Sequence, residues 1–557
     1  MKTILDRLLW FLDNQPMKLK AGFGKHETTC FIPGIGMLGY GQPHNTVKEV
    51  GTPLYARAMF TQDEANSNFI LVHLEQAFVT MAISEEVLNR INQEFPEWNI
   101  TFASLMITAQ HTHSAPGGYG HYPFYNFTVP GFQVRIFNTI CSGIIEAIKS
   151  AYKDLGPVKI HWGNHQISED KEVAFNRSMA AYLNNQDAKK IKKEEWHLGV
   201  NREMEGLIFS DEAGNEKAYI NWFGVHATSV SSYNHRIHHD NKGVAAALYE
   251  QNHPGTTAFY MQEAAGDVSP NFIINKKTKQ IGGKFADQYE NAAYNGEIQF
   301  RESEKTGKQK EVTGKIQCFH QFMDMSLEVA PGAHGVAFFQ GTTDGLGISK
   351  HLGSVLKVFC KLVKQRNLLL HPELHKKFYD AQAPKDILLD HRNGSFIGMP
   401  LSLWKKLPTL PEPSVEAFRQ CAANESINTL PWAPAILPFQ IVVLGPILIV
   451  AVPGEITTTS AGRLKPAIKL KVQDFNIERV IISSYSNGFM GYITTPEEYA
   501  KQSYEAGHTL YGNDTLRGVI KGFDDLVEEF IHHKVNPLKI NKPFHFPADE
   551  LARRSVF

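Results

Sequence analysis

The segment "FQIVVLGPILIVAVPG", Phe439–Gly454, is the most apolar stretch of the chain. It is shorter than the about 20 residues that a membrane-spanning helix needs, and Gly445-Pro446 interrupts it in the middle. Aliphatic residues on both sides of such a turn predict two buried β-strands. Glu455 follows the second strand directly. The segment therefore predicts a buried sheet with a carboxylate at the end of one strand.

Similar apolar runs recur along the chain and alternate with helical patterns. Strand-like runs include "NFILVHLEQAFVTMAI", "ITFASLMITAQ", "AYINWFGVHAT", "GTTAFYMQEAAG" and "ERVIISSYS", and helix-like patterns include "EEVLNRINQEF", "RIFNTICSGIIEAIKSAYKDL" and "DNKGVAAALYEQ". Strands that alternate with helices are typical of α/β proteins. We expect an α/β fold with one large domain, in which mixed multi-stranded β-sheets are flanked by helices.

The domain boundaries follow from composition. Residues 1–20 predict an amphipathic N-terminal extension, residues 21–535 one large domain, and residues 536–557 a Pro- and Lys-rich tail. The polar segments 187–217 and 305–314 are expected to be surface excursions.

Composition narrows the class of protein. The net charge is -1, from 56 basic and 57 acidic residues, and 43% of the residues are hydrophobic. A soluble globular protein fits these values, and no basic surplus points to a nucleic-acid partner. The five cysteines contain no CxxC pair, which fits a reducing compartment. With no cleavable signal peptide or transmembrane segment recognised, we expect a cytoplasmic protein or one exported without a signal peptide.

The stretch "MITAQHTHSAPGG", Met106–Gly118, ends an apolar run in two histidines. On an extended chain His111 and His113 would point to the same face. Such a pair can bind a metal, move protons, or serve only as hydrogen-bonded structure.

Other strand-like runs also end in polar residues. His226 follows "INWFG", Glu455 follows "AVPG", and Tyr492 lies in "GFMGYITT". Two histidines and a carboxylate are a common ligand set for catalytic zinc. Ser269 of "GDVSPN" is a further candidate. These residues can also have purely structural roles: a histidine near a strand end can be a hydrogen-bonded structural residue, Glu455 can favour a helix N-terminus, and Ser269 can be a turn residue. Taken singly, none of these motifs decides between a chemical and a structural role.

Taken together and in order, the motifs resemble the neutral (non-lysosomal) ceramidase family. The resemblance covers about residues 22–525 and includes "GMLGYGQPHNTVKEVGTPLYARAMF", "MITAQHTHSAPGGY", "AFNRSMAAYLNN", "INWFGVHATS", "GDVSPN", "FQGTTDG", "VPGEITTTSAGRL" and "YITTPEEYAKQSYEAGHTLYG". It implies a zinc-dependent amidohydrolase that cleaves the N-acyl bond of ceramide to give sphingosine and a fatty acid.

The resemblance also implies roles for individual residues. Four positions match the family's ligands for one zinc ion per active site: His111, His226, Glu455 and Tyr492. Ser269 matches the residue usually given as catalytic, either as a nucleophile or as a group that positions water. Three further positions match active-site residues: His113 for proton transfer, Tyr504 as a hydrogen-bond donor to the oxyanion, and Arg177 to orient a substrate hydroxyl.

This chain departs from the family pattern in several places. Glu75 stands where the family typically has Asp, and "SAPGG" replaces a Ser-Gly-Pro sequence. "HHDNKG" places His238 and His239 where we expect the mouth of the site. We expect no counterpart of the family's C-terminal immunoglobulin-like domain.

Two other functions stay open at this point. One is hydrolysis of another N-acyl amide, such as an N-acyl amino acid or an acyl-homoserine lactone. The other is a catalytically inactive lipid-binding protein. The expected partner is ceramide or a related N-acyl sphingoid lipid, with transient contact to a membrane surface, and the sequence leaves the oligomeric state unknown.

Overall fold

The computed structural model describes residues 17–126, 128–129, 131–277, 280–345, 347–392, 394–410, 413–423, 431–532 and 542–557. Most of the predicted N-terminal extension, residues 1–16, lies outside the described residues, and Leu19 already belongs to the first strand. Of the predicted tail, residues 536–541 lie outside them. The rest of the tail forms the helix Ala548–Arg554 and a short strand that pairs with Phe132–Gln133.

A nine-stranded sheet forms one half of the fold. In sheet order its strands are Thr257–Met261, Glu216–Trp222, Glu203–Ser210, Gly156–Gln166, Leu19–Glu27, Tyr55–Asp63, Asn68–Leu74 and Leu105–Ala109, and Lys310–Val312 pairs with Gly156–Gln166. The pairs at its two ends are parallel and the internal pairs are antiparallel. The prediction of a mixed sheet is confirmed.

A four-stranded sheet contains the opening sequence segment. Its strands are Ile316–Asp324, Ile436–Leu444, Ile447–Ala451 and Arg479–Ser483. Gly445 makes the turn between the two apolar strands with φ of 56°, a conformation that favours glycine. Both apolar strands are almost wholly buried, as predicted.

The remaining strands are shorter. A second four-stranded sheet contains Ala333–Gly335, Ile387–Asp390, Ser395–Phe396 and Met399–Pro400. Two-stranded pairs join Glu49–Val50 to Arg236–Ile237, Phe175–Asn176 to Val268–Ser269, Ile273–Ile274 to Ile281–Gly282, and Glu455–Ile456 to Tyr492–Ile493.

Helices cover the sheets and include all three that the sequence predicted. The longer ones are Met81–Glu94, Val134–Lys153, Asp240–Asn252, Gln288–Ser303, Lys350–Leu370, Pro372–Ala381, Pro413–Ala423, Thr458–Val472 and Thr515–His532. Short helices span Met179–Tyr182, Met325–Glu328, Val336–Phe339, Leu401–Trp404, Pro496–Ala500 and Tyr504–Gly507. Among the described residues, none of the helices combines the length and apolarity that crossing a bilayer requires.

The prediction that two polar segments are surface excursions was wrong in part. Segment 187–217 contains the strand Glu203–Ser210, which lies between two other strands of the large sheet. Segment 305–314 contains the short strand Lys310–Val312. Two charged residues of the first strand, Glu203 and Glu205, form ion pairs with Arg479. Because these ion-paired glutamates interrupt the hydrophobic pattern of a strand, the sequence alone predicted a surface segment here.

The two large sheets share one apolar layer and hold the candidate site at a common edge. Phe209 and Trp222 of the nine-stranded sheet pack in one cluster with Val442 and Ile449 of the four-stranded sheet. A backbone bridge between Thr108 and Ser486 joins the segments that leave the two sheets. Ligands in α/β proteins bind outside the carboxyl ends of strands, and several predicted site residues follow such ends here.

Candidate metal and catalytic site

Two histidines are held by backbone carbonyl groups. The Nδ1 atom of His111 lies 2.6 Å from the carbonyl oxygen of Ala77, and that of His226 lies 2.6 Å from the carbonyl oxygen of Ala265. A nitrogen this close to a carbonyl oxygen carries the proton, so in a neutral ring Nε2 keeps its lone pair. Burial and Arg177 lower the pKa of His226 to about 4, which keeps this ring neutral at pH 7.

A carboxylate faces both of these nitrogen atoms. Oε2 of Glu455 lies 3.3 Å from Nε2 of His111 and 3.2 Å from Nε2 of His226. Tyr485 fixes this oxygen by donating a 3.0 Å hydrogen bond to it. All three side chains are buried, so water does not screen the repulsion between the facing lone pairs. A cation between them relieves that repulsion.

The spacing of these atoms fits a small divalent cation. Bonds of about 2.0–2.1 Å to zinc place tetrahedral ligand atoms about 3.3–3.4 Å apart. The two distances to Glu455 have this length, and the hydroxyl oxygen of Tyr492 lies 3.5 Å from Nε2 of His226. The donor set of two imidazoles, a carboxylate and a phenol therefore fits a zinc ion.

His113 is a further nitrogen group at this centre. Its Nε2 lies 3.0 Å from Nε2 of His111, and His111, His113 and His226 together form a buried group that can hold a metal ion. Within the described part of the chain, Nδ1 of His113 has no hydrogen-bond partner. Ligand histidines normally donate their other ring N–H to an anchoring acceptor. His111 and His226 show this anchoring, and His113 does not.

The backbone around His113 leaves no spare room. Gly39 has φ of +116°, and a Cβ atom there would come within 2.2 Å of Cγ of His113. Tyr40 packs edge-on against the same ring at 4.6 Å between centroids. The glycine is therefore required for the ring to occupy its position.

Arg177 connects two groups of the site. It donates hydrogen bonds to the hydroxyl oxygen of Tyr492 at 2.9 Å and to Glu505 at 3.1 Å. Burial raises the pKa of Tyr492 well above its ordinary value, and Glu455 adds to this while Arg177 opposes it. A nearby cation would favour the phenolate in the same way as Arg177 does.

Ser269 is oriented by a carboxylate. Its hydroxyl donates a 2.6 Å hydrogen bond to Asp344 and accepts a 3.0 Å hydrogen bond from the backbone N–H of Asn271. Burial raises the pKa of Asp344, but Arg177 and hydrogen bonds from Ser269 and Thr342 outweigh it, so the pKa is lowered. Ser269 thus has a turn contact as well as a carboxylate that orients its hydroxyl.

A cavity with aromatic walls opens onto this centre. Six of the predicted site residues line it: His111, His113, Arg177, Glu455, Tyr492 and Tyr504. His226 and Ser269 do not line it, but they contact Glu455 and Asp344, which do. The apolar wall consists of Leu38, Phe78, Phe124, Tyr125, Phe338, Phe339 and Phe489. An elongated apolar ligand with one polar reacting group suits this shape.

The structure corrects two expectations about the histidines. His111 has φ of 73°, so it lies beyond the strand Leu105–Ala109 and is not in an extended conformation. The two imidazoles meet because the chain turns there, and not because of strand periodicity. His238 and His239 do not line the cavity. Their backbone carbonyls accept hydrogen bonds from the side chains of Thr112 and Gln110, so they support the segment that contains His111 and His113.

Glu75, the departure from the family pattern, also lies behind the site. It is fully buried and accepts a 2.6 Å hydrogen bond from Arg57. The next two residues, Gln76 and Ala77, provide the carbonyl groups that bind the backbone N–H and Nδ1 of His111. Glu75 therefore supports the segment that orients His111.

Some groups in the site were missed by the sequence analysis. They are Tyr485, Asp344, Glu505 and His508. Each lies inside a motif quoted above, but no local pattern distinguishes a residue whose partner is far away in the chain. Asp344, for example, is 75 residues from Ser269.

Comparison with known proteins identifies relatives over most of the chain. A family model described as "Neutral/alkaline non-lysosomal ceramidase, N-terminal" matches residues 19–399 and 419–521. The neutral ceramidase of Pseudomonas aeruginosa is 30% identical over 523 residues, which cover 91% of this chain and 71% of that protein. Neutral ceramidase A of Dictyostelium discoideum is 29% identical over 560 residues, covering 92% and 72%.

Solved structures agree with these matches. The crystal structure of neutral ceramidase from Pseudomonas aeruginosa superposes with a TM-score of 0.74 at 26% identity, covering 95% of this chain and 77% of that one. A structure titled "Ceramidase complexed with C2" superposes with a TM-score of 0.77, covering 95% and 79%.

Proposed function

This chain belongs to the neutral/alkaline non-lysosomal ceramidase family and is a ceramide-hydrolysing enzyme, and we propose that it uses one zinc ion held by His111, His226, Glu455 and Tyr492. The products would be sphingosine and a free fatty acid. We also propose that residues 21–535 act as one catalytic domain, since the two large sheets share a core.

One observation supports the zinc proposal most strongly. The lone pairs on Nε2 of His111 and His226 converge on the carboxylate of Glu455 at the spacing of tetrahedral ligands. When bound, zinc lowers the pKa of a coordinated water and polarises a carbonyl group. We assign Tyr492 as the fourth ligand, because Arg177 donates a hydrogen bond to its oxygen and favours the phenolate.

The remaining residues of the site would bind and protonate the substrate. Tyr504 lines the cavity with its ring 5.5 Å from that of Tyr492, and it would donate a hydrogen bond to the amide oxygen as negative charge develops there. His113 would take the proton released by the attacking water and transfer it to the leaving nitrogen, since its Nδ1 is free of protein partners among the described residues. Arg177 would orient a substrate hydroxyl.

The role of Ser269 follows from its hydrogen bond to Asp344. Because the carboxylate accepts the hydroxyl proton, the oxygen of Ser269 presents lone pairs that can position a water molecule. The same contact would orient the Ser269 hydroxyl for a nucleophilic role, in which the lowered pKa of Asp344 makes this carboxylate an orienting group and only a weak base. Both roles require the Asp344 carboxylate.

The apolar wall of the cavity would bind the hydrocarbon chains of an N-acyl sphingoid lipid. Burial of each CH₂ group in such a wall stabilises binding by about 0.8 kcal/mol. Because the substrate resides in membranes, we further propose that the enzyme makes transient contact with a membrane surface.

The experiment that tests this function combines metal analysis with a substrate panel. Protein purified without chelator should contain one zinc ion per chain and should hydrolyse ceramide in preference to N-acyl amino acids and acyl-homoserine lactones. Turnover of one of those amides without ceramide turnover would reassign the substrate. A protein that binds ceramide but has neither zinc nor activity would be a lipid-binding protein.

A further inference from the structure

One helix outside the active site has an unusual surface. The helix Lys350–Leu370 buries Gly353, Leu356 and Cys360 against the protein. Another face exposes large apolar side chains, and the following helix, Pro372–Ala381, exposes one more. The exposed fractions are 50% for Val355, 57% for Val358, 52% for Phe359, 54% for Leu362, 82% for Leu369, 55% for Leu370 and 65% for Leu374. We call these seven residues the apolar stripe.

The apolar stripe has the spacing of one helix face. Counted from Val355, its members on the first helix follow at intervals of three, four, seven, fourteen and fifteen residues. At about 100° per residue these positions fall within one third of the circumference. Single exposed apolar residues are normal, but contiguous apolar patches mark interaction sites.

The helix Lys350–Leu370 also carries only positive charges. It contains five basic residues, Lys350, Lys357, Lys361, Lys364 and Arg366, and no Asp or Glu. Arg366 falls within the angular range of the apolar stripe and is exposed. The four lysines lie on the side of the helix away from the apolar stripe. Lys357, Lys361 and Lys364 are close enough to Asp386 to oppose the rise that burial causes in its pKa, so Asp386 offsets part of this positive charge.

We propose that the apolar stripe and its basic residues dock the enzyme on an anionic lipid bilayer. Helices with exposed Phe and Leu beside Lys and Arg lie in the interface of membranes, with the apolar face among the acyl chains and the cations at anionic headgroups. A second copy of this chain fits less well, because pairing through the apolar stripe would bury the charged Arg366 of each copy. The docking surface extends the proposed function, since it would place the enzyme where its lipid substrate is found.

The docking helix is attached directly to the wall of the cavity. Phe338 and Phe339 line the cavity, and Ile348 donates a backbone hydrogen bond to Phe339 just before the helix begins. Gly353 of the helix packs against Gln340, where a Cβ atom would come within 2.2 Å. Docking through this helix would therefore hold the cavity wall close to the lipid surface.

Vesicle binding by the full chain tests this proposal without any catalytic step. Vesicles free of ceramide are used, made either of phosphatidylcholine alone or of phosphatidylcholine with phosphatidylglycerol. The wild type should bind the anionic vesicles and be released by salt. The double variant Phe359→Glu, Leu362→Glu should bind them about tenfold more weakly or worse, because it places two charges in the apolar stripe. Leu470→Glu, at a residue that is 67% exposed on another helix, should bind like the wild type.

Two further readouts separate this proposal from the proposed function. The double variant should hydrolyse a soluble short-chain substrate at the wild-type rate and ceramide in anionic vesicles more slowly. Failure of the wild type to hydrolyse ceramide would overturn the proposed function but leave vesicle binding as evidence for docking. Equal vesicle binding by wild type and double variant would overturn the docking surface. A dimer of the wild type that the double variant dissociates, without vesicle binding, would assign the surface to a second copy.

Discussion

The hydroxyl of Ser269 donates a 2.6 Å hydrogen bond to the carboxylate of Asp344, a buried residue that lies 3.7 Å from the guanidinium of Arg177. This contact gives the predicted catalytic serine an acidic partner where a hydrolase of another type would have a histidine. It also links the serine to the segment that forms the cavity wall.

We expect Ser269→Ala and Asp344→Asn each to reduce kcat by about 100-fold, since the first removes the hydroxyl and the second removes the carboxylate that orients it. Because the two residues act as a unit, the double variant should be no slower than either single variant. Rates of ceramide hydrolysis measured for all three variants test this. Zinc content serves as the control and should match the wild type, and a wild-type kcat for Asp344→Asn would refute the assignment.

The metal ligands are expected to behave differently from His113. His111→Ala and Glu455→Ala should lose zinc and activity together, because each removes one of the converging ligand atoms. His113→Ala should retain zinc while losing activity, because its ring lacks the anchoring contact of a ligand. Elemental analysis of the purified variants measures the difference. Zinc retained in full by His111→Ala would contradict the ligand set, and zinc lost by His113→Ala would make His113 a ligand.

The short motifs next to strand ends named candidate residues, but only their resemblance, taken together, to the ceramidase family pointed to one common site. The strands around Gly445, the three quoted helices and the mixed sheets followed from hydrophobic periodicity, which is a local property. Asp344 and Tyr485 could not be found in that way, since their roles depend on partners such as Ser269 and Glu455 that come together only in the folded chain.

The buried strand Glu203–Ser210 shows a second limit. Because it contains Glu203 and Glu205, its sequence has the pattern of a surface segment. The cations that neutralise these carboxylates, Lys465 and Arg479, are more than 250 residues away in the chain. The turn at His111 is a third case, because a positive φ at a non-glycine residue leaves no pattern in the sequence.

Gly39→Ala should inactivate the enzyme by displacing His113. A Cβ atom at Gly39 would come within 2.2 Å of the imidazole, and the φ of +116° adds backbone strain of about 1–2 kcal/mol. Gly214→Ala is the matched control, since Gly214 also has a positive φ, of +90°, but has nothing within 4 Å of its Cβ position. Both variants should lower the free energy of unfolding, and only Gly39→Ala should lower kcat. Equal kcat values for both variants would show that His113 can shift without loss of function.

Acid should weaken the buried ion pair behind the site. Burial raises the pKa of Glu250, but Arg57 and Lys25 outweigh it and lower the pKa to about 2. Glu75, on the other side of Arg57, is the remaining charged group of this cluster. Because the pKa of Glu250 in the folded state lies below its unfolded value of about 4.3, its stabilising effect is complete above about pH 4.3 and is lost as the pH falls toward 2.

The shift corresponds to about 3 kcal/mol of stability at neutral pH. Glu250→Gln should therefore be less stable than the wild type at pH 7, and the difference in the free energy of unfolding should shrink as the pH falls from 4.3 to 3. Urea unfolding of both proteins across this range measures it. Glu328→Gln, at a partly exposed carboxylate 3.8 Å from Lys521, is the control and should show a small difference at every pH. A difference for Glu250→Gln that stays constant with pH would show that packing, and not the charge of Glu250, stabilises this region.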